Sequence, residues 1–206
     1  MLDMIEFRSS NSTKDNMRII SGRLRGKKLS PFTGIDIRPT PDKVRGAIFS
    51  ILFSRLGSFD GLRVLDLFAG TGAMSLEALS RGSSSALLVD NGTAAAKTIS
   101  ANIALCNVSD QAILKHGDVL KSLQLLRVDE PFDLIFLDPP YNKELAEKTI
   151  CLISQARLLS PSGVVCAETD KKETMPETQG TLHRIETRIY GSTAVHFYCH
   201  AGEPMQ

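Results

Sequence analysis

Tryptophan is absent from the 206 residues, aromatic side chains make up 6%, and there are four cysteines. The cysteines, Cys106, Cys151, Cys166 and Cys199, form no C-x-x-C pair, which excludes a zinc ribbon and a small disulfide scaffold. Buried structural thiols are their expected role. Long apolar runs are also missing. Stretches such as Leu134 to Leu137 are far too short to span a bilayer. The first fifteen residues hold Asp3, Glu6 and Asp15 and no apolar core of a signal peptide. The expectation is a soluble, cytoplasmic protein without membrane contact. Net charge is nearly missing too, at +1. Residues 1–56, however, carry 11 basic and 5 acidic side chains, or +6, which leaves −5 for residues 57–206. A near-neutral total therefore covers a basic front and an acidic body. With 42% hydrophobic residues the chain has ample material for a buried core.

Three segments follow. Residues 1–16 are polar and aperiodic and are expected to form a loose arm. Residues 17–29 suggest a hairpin with turn or bulge glycines at Gly22 and Gly26. After Thr40, a good N-cap, Pro41 suits a first helical position. Val44, Ala47, Ile48, Ile51 and Leu52 then trace one apolar helix face, with Gly57 as a stop. From residue 62 onward strands and helices alternate. Strands are expected at 63–67, 85–89, 112–115, 134–137 and 164–168, and helices at 73–81, 93–106, 119–126 and 143–159. Such alternation builds βαβ units around a parallel sheet buried on both faces. Segment 170–180 suggests a polar loop. Segments 182–190 and 194–200 suggest an antiparallel hairpin at a sheet edge.

The chemistry gathers at strand ends. Val64-Leu-Asp-Leu-Phe-Ala-Gly-Thr-Gly72 is a strand, a glycine turn and a helix start. Gly70 and Gly72 permit close approach of a ligand, and the following helix offers free N–H groups to an anion. Ser75 stands where a dinucleotide fingerprint needs its third glycine, which disfavours an NAD-dependent oxidoreductase. Asp66, Asp90 and Asp118 lie at three successive strand ends, where an open α/β sheet binds its ligands. Each alone could simply cap a helix. In register they suit ribose hydroxyls and an exocyclic amine. Asp138-Pro-Pro-Tyr141 ends the fourth strand. Its prolines fix φ and lack N–H groups, so the carbonyls of Asp138 and Pro139 are presented rigidly. Asp138 and a neighbouring carbonyl can accept both hydrogens of a planar amino group while Tyr141 stacks on the ring that bears it. Such stacking is worth roughly 1–3 kcal/mol per base. Together, Asp138, Pro139, Pro140 and Tyr141 suit a flipped base with an exocyclic NH2. His196 and His200 are four apart but on a strand, so metal ligation is not expected.

The glycine loop and Asp138-Pro-Pro-Tyr141 together resemble the S-adenosylmethionine-dependent amino-methyltransferases. Further motifs narrow the likeness. Arg18-Ile-Ile-Ser-Gly22, Arg25-Gly-Lys-Lys-Leu29, Arg38-Pro-Thr-Pro-Asp-Lys-Val-Arg45, Leu76-Glu-Ala-Leu-Ser-Arg-Gly82 and Tyr190-Gly-Ser-Thr193 are similar to the bacterial RsmD family, over about residues 17–198. The resemblance implies methylation of guanine N2 in small-subunit ribosomal RNA, or in the assembling small subunit, and the polar hairpin suggests a monomer. It implies a Rossmann-like class I methyltransferase: a seven-stranded, mostly parallel sheet with an antiparallel last strand, plus the N-terminal hairpin and helix. Cofactor contacts are implied at Asp66, Phe68, Ala69, Gly70 and Gly72 for the methionine moiety, at Asp90 and Asn91 for the ribose, and at Asp118 and Val119 for adenine. One departure stands out. Relatives usually carry Glu-x-Asp where this chain has Asp90-Asn-Gly92, so the first acid is a methylene shorter and the second is lost.

The basic front, residues 17–56, is then expected to hold RNA phosphates through Arg23, Arg25, Lys27, Lys28, Arg38 and Arg45, beside the catalytic crevice of residues 57–206. Two other classes compete. An adenine-N6 DNA methyltransferase would use the same Asp-Pro-Pro-Tyr segment but needs a target-recognition domain. A non-catalytic RNA-binding assembly factor would not need that segment intact.

Overall fold

A computed structural model of the chain describes residues 17–31, 41–126, 130–141 and 144–201. The elements are α1 (Asp42–Leu56), β1 (Arg63–Leu67), α2 (Ala73–Ser80), β2 (Ser85–Asp90), α3 (Thr93–Cys106), β3 (Ala112–His116), α4 (Val119–Leu125), β4 (Phe132–Leu137), α5 (Leu145–Gln155), β5 (Leu159–Asp170), β6 (Thr178–Gln179), β7 (Leu182–Tyr190) and β8 (Thr193–His200). One sheet runs in the order β3-β2-β1-β4-β5-β8-β7-β6. Strands β1 to β5 are parallel, whereas β8 is antiparallel to β5 and β7, and β6 to β7. The order reverses between β1 and β4, which opens a crevice at their carboxyl ends. Among the described residues no helix is long and apolar enough to cross a membrane.

The sheet has eight strands where seven were expected. The extra one, β6, is a two-residue ladder around Gly180 inside the segment expected to be a loop. Two residues are too few for any alternation to show. Strand β5 also starts five residues before its expected start, because Phe132 pairs with Leu159 and the register then shifts around Gly163. The Ser-Pro-Ser-Gly run that looked like a break is an irregularity within a strand. Helix α5 ends earlier than expected, at Gln155, and Arg157 adopts φ 51°. Helix α1 begins at Asp42 with Pro41 as its N-cap, one position later than expected, and Gly57 closes it at φ 72° as its position predicted. Thr40, expected as the cap, and the arm expected at 1–16 lie outside the described residues.

Both sheet faces are covered. One face packs α1, α2 and α3 through Ile48, Phe49, Leu52, Leu76, Leu79 and Ile99. The other packs α4 and α5 through Val119, Leu123, Ile150 and Ile153. This explains the near-continuous apolar runs of β1 and β4.

Residues 17–29 form a tight hairpin. Ile19 N–H donates to the Lys27 carbonyl at 2.9 Å, Gly26 N–H to Ile19 at 2.8 Å and Leu29 N–H to Met17 at 2.8 Å. Gly22 turns it at φ +79°, and a Cβ there would sit 1.9 Å from the Ser80 carbonyl oxygen. No other residue tolerates both the conformation and that approach. The hairpin is anchored on α2. Ile20 and Ser21 N–H groups donate to the two carboxylate oxygens of Glu77, at 2.6 and 3.0 Å. Glu77 is 0% exposed and is also paired with Arg81 at 2.7 Å. Ser80 Oγ donates to Ser21 and accepts from Leu24 N–H. Met17, Ile19 and Leu29 thereby join the same core as the sheet.

Arg45 departs from expectation. It is 1% exposed, and its guanidinium donates to the Arg18 carbonyl and to Asp42. Buried there, it fastens α1 to the hairpin and is not available to an RNA phosphate. Its isolated place among apolar helix positions, after Val44, marks a side chain that turns inward.

Removing the Glu77 carboxylate strands the two N–H groups and Arg81. Glu77→Ala is expected to lower the unfolding free energy by roughly 3–5 kcal/mol, measured by urea unfolding. Glu144→Ala, which breaks an exposed i,i+4 pair with Lys148, should cost less than about 0.5 kcal/mol.

Candidate active site

The carboxyl ends of β1, β2, β3 and β4 bring the expected loops together. Between β1 and α2, Phe68, Gly70 and Gly72 all take positive φ, at 61°, 60° and 76°. Glycine meets this freely, whereas Phe68 is held there against a strain of order 1 kcal/mol. The loop is tied down by acids. Asp90 accepts from Gly70 N–H at 2.9 Å and from Gly92 N–H at 2.8 Å, so one carboxylate fastens the glycine loop to the end of β2. Each oxygen keeps further acceptor capacity. The shortened Asp90 is thus placed at the loop, and Gly92, which replaces the usual second acid, supplies an N–H instead. His116 Nε2 lies 3.1 Å from the Asn91 carbonyl, which joins this loop to β3.

Asp66 is 4% exposed and lies beneath the loop, where it accepts from Ser75 N–H at 3.2 Å and Ser75 Oγ at 2.8 Å. Ser75, noted above only as a missing glycine, is therefore the donor that holds the β1 acid. Burial raises the Asp66 carboxyl to about 7, against the Ser75 bonds that lower it. Asp118 caps α4, accepting from Lys121 N–H at 2.9 Å. The helix-capping role holds for this acid, and one of its oxygens is used that way. Val119 beside it is buried.

Asp138 continues the parallel ladder, its N–H 3.3 Å from the Leu67 carbonyl. Its side chain stands at the open mouth of the crevice, and no described residue donates a hydrogen bond to its carboxyl. Crowding by protein, then the charges of Glu168 and Asp66, raise its pKa well above the usual carboxylate range. Pro139 is buried and Pro140 exposed. Tyr141 is half-buried, its hydroxyl 3.2 Å from Glu168 Oε1 and 3.0 Å from Thr193 Oγ1. Burial first pushes its phenol up to about 12. Glu168, at the carboxyl end of β5, belongs to this site and was not among the expected residues. The rule that singled out Asp66, Asp90 and Asp138 would have found it. His196 is a core residue, 4% exposed, with Nε2 3.1 Å from Thr169 Oγ1 and Nδ1 2.9 Å from Thr187 Oγ1. Among the described residues no cluster could hold a metal ion.

The basic residues fall elsewhere. Arg23 bonds Gln111, just before β3, and its N–H donates to the Ser80 carbonyl at the far end of α2. The hairpin tip, with Arg23 and Arg25, therefore lies toward the amino ends of the strands and not beside Asp138. The open end of the hairpin returns toward the glycine loop. Met17 Sδ lies 3.3 Å from Thr71 Oγ1, and Asn102 links Ser30 to the Thr71 carbonyl. Lys28, at this open end, is exposed, as is Lys43 in the first turn of α1. Arg38 lies outside the described residues.

The sheet order, the glycine loop at the end of β1 and the Asp-Pro-Pro-Tyr end of β4 are those of a class I methyltransferase. The solved Escherichia coli protein yhhF superposes with a TM-score of 0.78 at 29% identity, over 89% of this chain and 97% of that one. The Bacillus subtilis protein YlbH is 37% identical over 183 residues, 88% of this chain and 98% of its own. Ribosomal RNA small subunit methyltransferase D of Haemophilus influenzae is 31% identical over 181 residues, 86% of this chain and 92% of its own. Residues 17–199 match the family described as Conserved hypothetical protein 95, and the chain belongs to that family, the RsmD family.

The Asp66 carboxyl gives a test of the site. Unfolded, it ionises near its ordinary 3.8; folded, it keeps its proton up to about 7. Between those values the folded state binds more protons, so stability falls as pH rises through the window. Urea unfolding across it should show the wild type losing stability relative to Asp66→Asn. A constant difference would contradict the burial of this carboxyl.

Proposed function

We propose that this chain transfers a methyl group from S-adenosylmethionine to the exocyclic N2 of a guanine in small-subunit ribosomal RNA. The observation that carries the reading is the Asp138 carboxyl, unpaired among the described residues, on a rigid Pro-Pro corner beside a fixed tyrosine ring. The site suits the cofactor. The left-handed glycine loop and the start of α2 suit its methionine moiety, Asp90 retains acceptor capacity for ribose hydroxyls, and Asp118 with buried Val119 suits the edge of adenine. Bound there, the sulfonium supplies an electrophilic methyl group.

The chain's own residues do the rest. Tyr141 stacks on the guanine and removes its freedom to rotate. Asp138 and the Pro139 carbonyl accept the two N2 hydrogens, which directs the amine and raises its electron density. Much of the rate then comes from alignment. The methylated amine is acidic, and Asp138, made more basic first by desolvation and then by the charges of Glu168 and Asp66, takes its proton. The front of the chain is the polyanion-holding part. Lys28 and Lys43 serve phosphates near the crevice, and Arg23, Arg25 and Lys27 serve RNA that runs past the far end of α2.

Nucleoside mass spectrometry of small-subunit RNA from a deletion strain should show the loss of one N2-methylguanosine. Loss of an N6-methyladenine instead would move the assignment to the other amine, and an unchanged profile would favour the assembly-factor class. Asp138→Ala should remove most turnover while leaving S-adenosylmethionine binding, by isothermal titration, largely intact. Charge reversal at both Arg25 and Lys27 should weaken RNA binding and flatten its salt dependence by about one unit of slope per lost phosphate contact. Unchanged slopes would leave these two charges a solubility role.

A further inference from the structure

The stacking role assigned to Tyr141 requires only a ring face, yet its hydroxyl is engaged on both sides. Glu168 Oε1, on β5, lies 3.2 Å from the Tyr141 oxygen and accepts its proton. Thr193 Oγ1, the first residue of β8, lies 3.0 Å away and can donate back. The two partners come from neighbouring antiparallel strands, with Glu168 opposite Val195 and Asp170 opposite Thr193. The turn that delivers Thr193 is itself fixed. Gly191 takes φ 64°, and Lys171 N–H donates to the Ser192 carbonyl at 2.8 Å. A phenol has one proton to donate, and here it is spent within the protein. The hydroxyl therefore serves the ring's position and not the transfer of a proton, in keeping with a phenol pushed up to about 12.

We propose that Glu168 and Thr193 are positioning residues that clamp the Tyr141 hydroxyl between β5 and β8 and so set the plane on which the target base stacks next to Asp138. The inference rests on the methyl-transfer reading above and deepens it. The antiparallel end of the sheet becomes part of the substrate site, and the Tyr190-Gly-Ser-Thr193 motif acquires a purpose in the turn it builds. A tyrosine free to swing about the Pro140–Tyr141 link would still stack, but in many orientations, and alignment would be lost.

The test is a double-mutant cycle on methyl transfer from tritiated S-adenosylmethionine to small-subunit RNA of a deletion strain. Tyr141→Phe, Glu168→Ala and Thr193→Val should each lower kcat about tenfold, the scale of one lost hydrogen bond to a charged or fixed partner. The S-adenosylmethionine Kd should stay unchanged. Tyr141→Phe with Glu168→Ala should be no slower than either alone. Thr193→Ser should recover most of the rate, and Glu168→Gln, whose amide oxygen still accepts but whose charge no longer raises Asp138, should recover part of it. A further tenfold loss in the double variant, or a Thr193→Ser as slow as Thr193→Val, would overturn the clamp. Tyr141→Ala separates the two levels. If it methylates RNA at the wild-type rate, the stacking role itself fails. A substrate-free reading covers inactive preparations. With tyrosine labelled at 13Cζ, the signal lost in Tyr141→Phe should shift in Glu168→Ala and in Thr193→Val, and a signal that does not move would overturn the clamp.

Discussion

A buried carboxylate, Glu77, fastens the N-terminal hairpin to α2 and through it to the sheet. A charge wholly removed from water is tolerated only when hydrogen bonds and an opposite charge replace its hydration. Here the replacement comes from the N–H groups of Ile20 and Ser21 and from Arg81. Arg81 in turn lies over the Phe49 ring at 4.6 Å, which carries the connection into α1. The motif Leu76-Glu-Ala-Leu-Ser-Arg-Gly82 thereby acquires a physical meaning. Leu76 and Leu79 face the sheet, Glu77 and Ser80 receive the hairpin, and Gly82 sits where a Cβ would be 2.1 Å from Asp60 Oδ1.

From that attachment the cofactor loop inherits its support. The hairpin's open end reaches the back of the glycine loop, where buried Asn102 bonds both Ser30 and the Thr71 carbonyl. The front is thus a wall of the site as well as a basic surface, and its charges divide accordingly. Arg45 is consumed in the core, and Arg18 and Arg55 pair with Asp42 and Glu186. No ion pair joins Arg25, Lys27, Lys28 or Lys43 to another described residue. The +6 of residues 1–56 overstates what a polyanion would meet.

The parallel half of the fold was legible because each strand carries a continuous apolar run and each helix a periodic face. The acids were legible because strand ends in such a sheet converge. What failed had a local cause in each case. Strand β6 is too short to alternate. Strand β5 contains a proline and a glycine that mimic a turn. Arg45 and Glu77 are charged residues whose partners are backbone groups distant in sequence, at separations of 27 for Arg18 and 57 for Ile20. Charge in a linear sequence suggests surface, and only the fold shows the N–H and C=O groups that bring it inside. The expected neighbourhood of Arg25 and Asp138 failed similarly. The hairpin tip that carries Arg25 and the crevice that holds Asp138 lie at opposite ends of the strands, which residue order does not reveal.

The acidity of the site follows from the same arrangement. Asp66, Asp138 and Glu168 lie near the carboxyl ends of β1, β4 and β5, three adjacent strands, so their charges cannot avoid one another. Desolvation first and then this repulsion disfavour full ionisation and make Asp138 a readier proton acceptor than an isolated aspartate. It also disfavours a phosphate in the crevice, whereas the cations of the front lie outside it. A polyanion held by Lys28 and Lys43 would meet an acidic cleft with its backbone excluded. A neutral base whose amino group donates hydrogen bonds is the part of a nucleotide suited to enter. On the proposed reading the opposed charges of front and body would act together: one part would retain the backbone, and the other would admit only the base.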